Sequence, residues 1–391
     1  MLPTLSEAQE IITSGVKTLG TEKRTSLDSI KHVLAEKVYA DISSPPFDKS
    51  AMDGYACKIK DIDKKLELIE EIPAGKLPQN KIKTGQCAKI MTGAVIPEGA
   101  DTVFMKEDAE VLGEKYIKCT NPNSKRNICY KGEDVKVGDK LFNKGELIRS
   151  HHMPTLALAG YHQVKVYKMP KVGVITTGSE IVEPHNIPQN SQIRNTNAYQ
   201  ILALLYELGI SGDYVGIAKD KEIDIRLKIE TSLNKNTITL VTGGVSVGDY
   251  DLVPDIVEKL GLEIKLRGSA IQPGKPMVYA TNGKQYFFGL SGNPVSSFLQ
   301  FQFYVRGLIL ALQSAKYELP SLVLKFSQNF TRKRGDRLMF KPGLYIDDNV
   351  VPVDFHGSAH ISAMAKANCI IEIPQNVTTI KQGQPVKIYL L

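Results

Sequence analysis

The sequence predicts a multidomain fold in which an α/β domain, with a doubly wound and mainly parallel sheet, is combined with all-β domains. From residue 170 onward, short apolar runs alternate with helical stretches, and this alternation is typical of a parallel sheet covered by helices. The stretches 45–137 and 318–391 consist of short β-like runs divided by Gly, Pro and Asn, which predicts strands joined by turns. A chain of 391 residues is long enough for about two to four domains.

The N-terminal part is predicted to be helical before the chain becomes extended. One helix is predicted at 5–19, with Ser6 as its N-cap, and a second at about 25–38. The segment PPFDKSAMDGYA (45–56) then ends the helical pattern, because paired prolines enforce an extended backbone. After the β-like stretch, we expect a turn and strand at 136–148 and a short helix at 150–161.

The α/β part is predicted to alternate regularly, and the C-terminal part to form a β-barrel or a sandwich. The runs VGVITT, GDYVGI, TITLV and QYFFG are expected to be buried strands, as is the segment 262–267. Helices are expected between them, at 195–209, 220–233, 252–260 and 295–313. Gly209 is a suitable stop for the first of these helices.

Polar, Gly-rich loops follow four of these strands. They are TTGSE (176–180), GIAKD (216–220), TGGVSVGDYD (242–251) and GLSGNP (289–294), and a fifth loop of this kind is QPGKP (272–276). Ligands of open α/β sheets bind where the carboxyl ends of parallel strands meet. We therefore expect the charged residues of these loops to converge on one pocket: Glu180, Asp220, Asp249, Asp251 and Lys275.

The residue types in these loops indicate the class of ligand. Glycine lets backbone N–H groups approach an anion closely, lysine neutralises phosphate, and carboxylates hold Mg²⁺. The predicted ligand is therefore a phosphorylated anion that is handled with a divalent metal. The densest of these loops, TGGVSVGDYD, combines three glycines, hydroxyl groups and two carboxylates, which a purely structural loop would not need.

Several nucleotide sites are excluded by the motifs. GSAIQPGKP (268–276) differs from a P-loop, because its glycines are spaced one residue too far apart and Pro276 replaces the Ser or Thr that would bind Mg²⁺. No GxGxxG opens a strand–helix unit, which argues against a nicotinamide or flavin site. The basic spots 125–127 and 331–337 lack interleaved aromatic residues, so we expect no nucleic acid partner.

The bulk composition points to a cytoplasmic globular protein. It is 42% hydrophobic and 23% charged, its longest apolar runs are too short to span a bilayer, and its N-terminus lacks a signal-peptide pattern. The five cysteines are scattered without a CxxC pair, which argues against zinc and disulfides and favours a reducing compartment. The net charge of +7 would help to recruit anions, although spread lysines are also typical of an ordinary solvated surface.

Taken together, the ordered motifs resemble those of the molybdopterin molybdenumtransferases, the family of bacterial MoeA and the gephyrin E domain. The resemblance extends from about residue 5 to the C-terminus. It is carried by PPFDKSAMDGYA (45–56), IMTGAVIPEGADTV (90–103), NICYKGEDVKVGD (127–139), TTGSE (176–180), RNTN (194–197), TGGVSVGDYD (242–251), QPGKP (272–276), GLSGNP (289–294) and GSAHISAMAKAN (357–368).

The resemblance implies four domains and a homodimer. An elongated discontinuous domain would comprise 1–43 and 138–168, with an inserted β-rich domain at 44–137, an α/β molybdopterin-binding domain at 169–316 and a C-terminal β domain at 317–391. The active cleft would form between the α/β and C-terminal domains of one subunit and the inserted domain of the other. The implied reaction inserts molybdate into adenylylated molybdopterin, with Mg²⁺ as the cofactor and AMP as the leaving product.

The resemblance also implies roles for individual residues. The catalytic set would be Asp53, Asp134, Asp220, Asp251 and Lys275. The substrate would be bound by Thr92, Gly93, Thr177, Gly178, Glu180, Gly243, Gly244, Ser246, Gly248, Asp249, Asn293 and Pro294. Molybdate would be bound by Lys275, Arg337 and Ser358, and the metal by Glu180 and Asp251. We expect Asp251→Ala and Lys275→Ala each to abolish transfer without unfolding the protein.

The chain departs from the family pattern at four positions. Gln272 stands where Lys is frequent, Cys129 where Arg is common, Ser291 where the pattern has Pro, and Lys49 where Asn is common. Gln272 removes one positive charge from the anion site, and we hypothesise that Lys49 or Lys131 compensates for it.

Two other functions fit the same fold. A molybdopterin adenylyltransferase would consume ATP without molybdate, and the TGGVSVG form of the motif argues against it. A non-catalytic scaffold or carrier would have lost its acidic residues, which are all present here. The adenylyltransferase and the maturation factors of molybdoenzymes are the expected protein partners besides the second subunit.

Overall fold

The computed structural model describes residues 2–123, 126–245, 252–316 and 318–391. Its first helix, Leu5–Thr13, begins after Thr4 and not after Ser6, because the Thr4 side chain and Glu7 form a reciprocal capping box. The helix is shorter than predicted. Its buried side chains, Ala8 and Ile12, pack into the core of the α/β domain.

The helix predicted at 25–38 is wrong. The chain instead forms a strand at Thr21–Thr25 and a single 3-10 turn at Leu27–Ser29. The strand pairs antiparallel with Gln163–Tyr167, far along the chain, and within the predicted helix itself Val33 and Leu34 form antiparallel bridges with Leu147 and Val166. Those long-range hydrogen bonds satisfy the backbone in place of helical ones, so a tertiary contact overrides the local helical preference.

Segments from both sides of the β-rich stretch pack together. The strand Val38–Tyr39 pairs with Lys140–Phe142, and the predicted short helix forms at Met153–Leu158. Their shared core contains Leu34, Val38, Phe142, Ile148, Leu156, Val164 and Val166. This core joins residues that lie before and after the β-rich stretch.

The β-rich stretch forms a six-stranded sheet, as the turn-rich sequence predicts. Its strands, in spatial order, are Thr102–Met105, Gly54–Cys57, Gln86–Ile90, Lys65–Ile72, Tyr116–Cys119 and Ala109–Val111. All neighbours are antiparallel except Lys65–Ile72 and Gln86–Ile90, which run parallel. A short antiparallel pair is formed by Lys49–Ser50 and Ile128–Cys129, which precede and follow the strands of this sheet along the chain.

The α/β domain has the predicted doubly wound sheet. In chain order its strands are β1 (Val172–Thr177), β2 (Asp213–Ala218), β3 (Ile238–Thr242), β4 (Glu263–Arg267), β5 (Val278–Thr281) and β6 (Tyr286–Leu290). Their spatial order is β2-β1-β3-β6-β5-β4, and β5 is the strand that runs antiparallel to its neighbours. Two separate apolar clusters cover the two faces of this sheet.

Helices connect these strands close to the predicted positions. They are Asn197–Glu207, Glu222–Lys235, Val253–Lys259 and Pro294–Gln300. The last of them continues through a π-helical turn, Phe301–Val305, into Arg306–Ala311. The single helix predicted at 295–313 is therefore interrupted by a wider turn.

The C-terminal domain is a closed barrel, which decides between the two predicted β architectures. Its strands are Ser321–Phe326, Leu338–Ile346, Asn349–Pro352, Cys369–Ile373 and Pro385–Leu390. The sheet closes because Leu338–Ile346 pairs with both Asn349–Pro352 and Cys369–Ile373. A short helix, Ile361–Ala365, precedes the fourth strand.

Aromatic packing fixes the barrel against the α/β domain. The ring of Phe303, from the π-helical turn, stacks on Phe340 with their centroids 4.4 Å apart. Tyr389 meets the Phe303 ring edge-on at 5.1 Å. All three side chains belong to the main core of the α/β domain, so the two domains share one apolar interior.

Two absences are also established for the described ranges. No helix there is long and apolar enough to cross a membrane. All five cysteines are free thiols, and burial raises the pKa of Cys87 to about 12 and that of Cys369 to about 11.

Candidate active site

Three Gly-containing loops meet at the carboxyl edge of the α/β sheet. Gly243 follows β3 with a φ of +91°, and a Cβ at that position would lie 2.7 Å from Oγ1 of Thr177. A Cβ on Gly292 would lie 3.6 Å from the Cα of Gly243. Gly243 also donates its N–H to the carbonyl of Leu290 at 3.0 Å. The loops after β1, β3 and β6 therefore pack backbone against backbone, which requires glycine.

The carboxylates after β1 and β2 lie on adjacent loops. The N–H of Ser179 donates to Oδ2 of Asp220 at 2.7 Å, and the N–H of Asp220 donates to Oγ of Ser179 at 3.1 Å. Gly178 links the same two loops through its N–H, which donates to the carbonyl of Ala218. Glu180 and Asp220 are exposed. This reciprocal pair holds two predicted site residues at one end of the sheet edge.

A buried polar network supports these loops from below. Asn195 is buried and accepts, at Oδ1, from Oγ1 of Thr176 at 3.1 Å. Its Nδ2 donates to the hydroxyl of Tyr214 at 2.8 Å, and that hydroxyl donates to Oε1 of Glu183 at 2.6 Å. Burial raises the pKa of Tyr214, so the hydroxyl remains a donor. Sequence reasoning missed Tyr214 and Glu183, although the RNTN motif contains Asn195.

A cavity of about 570 Å³ opens between the α/β domain and the barrel. The α/β domain contributes Gln272, Pro273, Gly274, Lys275, Pro276, Ser291, Asn293 and Ser296. The C-terminal domain contributes Phe330, Thr331, Arg332, Arg337, Met339, Phe340, Lys341, Phe355, His356, Gly357 and Ser358. All three predicted molybdate-binding residues therefore line one cavity, and they come from two domains.

Two backbone links explain this convergence. Ile271–Gln272, just before the Lys275 loop, pairs in parallel with Leu338–Met339 of the barrel. The N–H of Val295 donates to the carbonyl of Ser358 at 3.1 Å. The first link places Arg337 beside the Lys275 loop, and the second places Ser358 at the start of the helix Pro294–Gln300.

The cavity lining contains cations, and two of them, Lys275 and Lys341, have no carboxylate partner within salt-bridge distance among the described residues. The lining, as far as the structure describes the chain, contains no Asp or Glu. Within the described ranges no carboxylate lies within 4 Å of Nζ of Lys275 or Lys341, whereas Arg337 Nε lies 3.6 Å from Asp336. Unpaired cations in a recess are suited to binding an anion.

The cations of this wall are not equivalent. Arg332 is buried and donates to the backbone carbonyls of Val377, Arg337 and Pro374. Its guanidinium therefore already makes three hydrogen bonds within the barrel. Lys341 is half-buried, with Nζ 5.5 Å from the centroid of the Phe330 ring. Burial lowers the pKa of Lys341. Sequence reasoning missed Lys341, because a lysine in a β-strand resembles any surface lysine.

Lys341 and His356 share the cavity with Gln272, the position where the family often has lysine. The residues hypothesised to compensate for Gln272 lie elsewhere in the chain. Lys49 pairs with Cys129 in the inserted region, and the N–H of nearby Lys131 donates to Asp48. Within one chain, the cavity therefore has a closer source of positive charge than Lys49 or Lys131.

Four predicted site residues lie in the inserted domain and do not line this cavity. Oδ1 of Asp53 accepts from the N–H of Thr92 at 2.8 Å and from its Oγ1 at 2.7 Å. These bonds, led by the backbone one, lower the pKa of Asp53. Gly93 follows with a φ of +82°. Asp134 is exposed, and its N–H donates to the carbonyl of Ser44.

The expectation of a single pocket is only partly met. Lys275 and Asn293 line the cavity, but Glu180 and Asp220 do not. The reason is the strand order, since β3 and β6 lie between β1 and the antiparallel strand β5 that follows Lys275. Thr177, Gly178, Gly243 and Gly244 lie between the two ends of the edge. Ser246, Gly248, Asp249 and Asp251 lie outside the described residues.

Comparison with known families matches almost the whole chain. Residues 3–160 match the MoeA N-terminal region (domain I and II), residues 173–311 a probable molybdopterin binding domain, and residues 325–391 the MoeA C-terminal region (domain IV). In chain order, these three segments correspond to the N-terminal part with its β-rich sheet, to the α/β sheet with its helices, and to the barrel.

Individual relatives give the same result. The molybdopterin molybdenumtransferase of Staphylococcus aureus is 33% identical over 378 residues, which covers 93% of this chain and 89% of that protein. The enzyme of the same name from Haemophilus influenzae is 33% identical over 94% of this chain and 93% of that protein.

Solved structures agree with the fold. A crystal structure of the molybdopterin biosynthesis MoeA protein from Pyrococcus horikoshii superposes with a TM-score of 0.83 at 28% identity and covers 100% of both chains. A second structure of that protein gives a TM-score of 0.79 at 30% identity. With three family regions in order and 33% identity to curated relatives over nearly their full length, the chain belongs to the MoeA family of molybdopterin molybdenumtransferases.

Proposed function

We propose that this chain acts in molybdenum cofactor biosynthesis as a molybdopterin molybdenumtransferase, which inserts molybdate into adenylylated molybdopterin and releases AMP. Its curated relatives carry the name of this activity. The observation that carries the proposal is the cavity between the α/β domain and the barrel, where Lys275, Arg337 and Ser358 meet without a carboxylate in the described lining.

The charges of this cavity suit a tetrahedral dianion. Lys275 and Arg337 supply fixed positive charge, and the Ser358 hydroxyl supplies a neutral donor. Their positions come from two domains that share an apolar core, so the donors are held in place before the substrate arrives. Preorganised donors of this kind stabilise negative charge more effectively than water does, because they need not reorient.

The Gly-rich edge suits the other substrate, the adenylylated pterin. Gly243 and Gly244 are half-buried at this edge, and their lack of side chains leaves room for phosphate oxygens to approach, while Asn293 lies where this edge meets the cavity. A pterin-linked phosphoanhydride bound here would have its dithiolene directed toward the molybdate donors. Holding both reactants in one cleft converts the transfer into an effectively intramolecular step.

Mg²⁺ fits the exposed oxygens at this edge. The described residues contain no group of three His, Cys, Asp or Glu side chains placed to hold a metal ion. Mg²⁺ in phosphate sites commonly uses only one or two carboxylates, with waters and phosphate oxygens completing the shell. Glu180 and Asp251 would hold it, and Asp220 lies on the loop hydrogen-bonded to the loop of Glu180. When bound, the ion would neutralise charge on the phosphoanhydride that is cleaved.

The inserted domain is proposed to act across a homodimer. Asp53 and Thr92 form an exposed, hydrogen-bonded pair that lies outside the cavity of their own chain. With Gly93 and Asp134 they would complete the cleft of a second copy, and small anions would be the ligands. We place the reaction in the cytoplasm, where the adenylyltransferase and molybdoenzyme maturation factors would be partners.

Reconstitution of a cofactor-free molybdoenzyme tests this proposal. The chain is incubated with adenylylated molybdopterin, molybdate and Mg²⁺, and the products are added to the inactive enzyme. Activity that requires this chain and molybdate supports the transferase. In a parallel reaction with molybdopterin and ATP, ATP consumption without molybdate would instead indicate an adenylyltransferase. Tight substrate binding without any active cofactor would indicate a carrier or scaffold.

A further inference from the structure

A buried glutamine lies between the two loops that form the α/β side of the cavity. Gln300 is the last residue of the helix Pro294–Gln300, and its relative exposure is 0%. Its Oε1 accepts from the N–H of Ser291 at 2.8 Å. Its Nε2 donates to the carbonyls of Gly274 at 2.9 Å and Pro276 at 2.7 Å. Both amide hydrogens and the amide oxygen are therefore used.

These bonds act on the backbone that surrounds Lys275. Gly274 and Pro276 are its two chain neighbours, so one rigid amide plane fixes the carbonyls on either side of that lysine. The fit is close, because a Cβ on Gly274 would lie 3.5 Å from Cγ of Gln300 and 3.2 Å from Cδ1 of Ile271. The Lys275 side chain itself is exposed and has no carboxylate within 4 Å in the described ranges. The direction of the Lys275 side chain therefore depends on the backbone conformation of the loop 272–276.

The same amide holds the other loop. The N–H of Ser291 reaches Gln300, and Oγ of Ser291 accepts from the N–H of Asn293 at 3.2 Å. A proline at position 291, as in the family pattern, has no N–H and no hydroxyl to make either bond. The Ser291 departure and Gln300 therefore form one hydrogen-bonded unit in this chain.

We infer that Gln300 is a positioning residue for oxyanion binding: it aims Lys275 and the Ser291–Asn293 turn into the cavity. This inference rests on the proposed function, because the oxyanion is molybdate. Gln300 does not line the cavity, so it acts on the anion only through the two loops. The effect of losing it should therefore depend on Lys275.

A double-mutant cycle with molybdate as the probe tests this dependence. Gln300→Met keeps the length and burial of the side chain and removes all three hydrogen bonds. Molybdate binding, measured by calorimetry, should weaken about tenfold with Lys275 present. A tenfold change in Kd is similar in size to the contribution of about one buried hydrogen bond. In a Lys275→Met background the same change should weaken binding less than about twofold.

A kinetic readout separates positioning from general destabilisation. In AMP release, Gln300→Met should raise the KM for molybdate about tenfold and leave kcat at saturating molybdate within about twofold. Gln313→Met is the matched control, because Gln313 is also a buried amide, in the turn after the helix Arg306–Ala311, and its side chain donates to the carbonyl of Ile309 and not to the cavity loops. That control should leave the molybdate KM unchanged.

The outcomes are distinguishable. Equal weakening with and without Lys275, or an unchanged affinity in Gln300→Met, would overturn the positioning role while leaving the transferase intact. A wild-type chain that neither binds molybdate nor releases AMP would overturn the proposed function as well. If Gln300→Met does not fold, Ser291→Pro removes the one bond from Ser291 to Gln300, together with the bond from Asn293 to the Ser291 hydroxyl, and leaves both bonds of Gln300 to the Lys275 loop. It should weaken molybdate binding by a smaller factor, again only with Lys275 present.

Discussion

Replacing Lys275 by Met should separate anion binding from stability. The lysine is exposed, lines the cavity, and has no carboxylate partner within 4 Å in the described part of the chain. A hydrogen bond to a charged group contributes about 1.5–3 kcal/mol. Since about 1.4 kcal/mol corresponds to a tenfold change, the Kd for molybdate should rise about ten- to 150-fold.

The stability of the same variant should hardly change. A surface substitution that breaks no ion pair shifts the free energy of unfolding by about 0.5 kcal/mol or less. Urea unfolding measures this quantity, and calorimetry measures the molybdate affinity. Lys284→Met is the control, because Lys284 is exposed in the turn between β5 and β6, at the opposite edge of the sheet. An unchanged affinity in Lys275→Met, or an equal loss in the control, would refute the assignment of the cavity.

Three further predictions concern the cavity wall, the inserted domain and the domain interface. Burial lowers the pKa of Lys341, so its positive charge is lost at a lower pH than for an ordinary lysine; molybdate affinity should fall as pH rises into the alkaline range, and less so in Lys341→Met, as titrated by calorimetry. Thr92→Val removes one of two bonds to Asp53 and should raise the pKa of that carboxyl, which carboxyl-carbon NMR would detect. Phe340→Ala removes the ring stacked on Phe303 and should lower the free energy of unfolding by about 3–5 kcal/mol, as measured with urea; a loss below about 1 kcal/mol would contradict a shared core.

Periodicity was sufficient for the elements whose hydrogen bonds are local or whose burial is complete. The strands β1, β3 and β6 are continuous apolar runs, and the helices between them carry regular apolar faces, so their positions were predictable. The segment 25–38 was not, because backbone partners of Thr25, Val33 and Leu34 lie more than a hundred residues away, at Gln163, Leu147 and Val166. Barrel closure likewise depends on Leu338–Ile346 pairing with two other strands, which no local pattern specifies.

Some residues of the candidate site were likewise predictable from the sequence, and others were not. Lys275, Arg337 and Ser358 were predicted from motifs, and the structure brings all three to one cavity. Gln300 and Lys341 were missed for physical reasons. The contacts that define the roles of a glutamine on a buried helix and a lysine on a strand form only when distant segments pack around them. The acidic residues at 53 and 134 remain predictions, because their proposed ligand would lie in the cleft of another subunit.

AMP release from adenylylated molybdopterin tests the central claim most directly. The assay measures AMP with molybdate and Mg²⁺ each present or omitted, for the wild-type chain and for Lys275→Met. The transferase account predicts rapid release only when both ions are present, with molybdenum recovered in the dithiolene product and a strong loss in the variant. Release that is independent of molybdate, or unaffected by Lys275→Met, would contradict it.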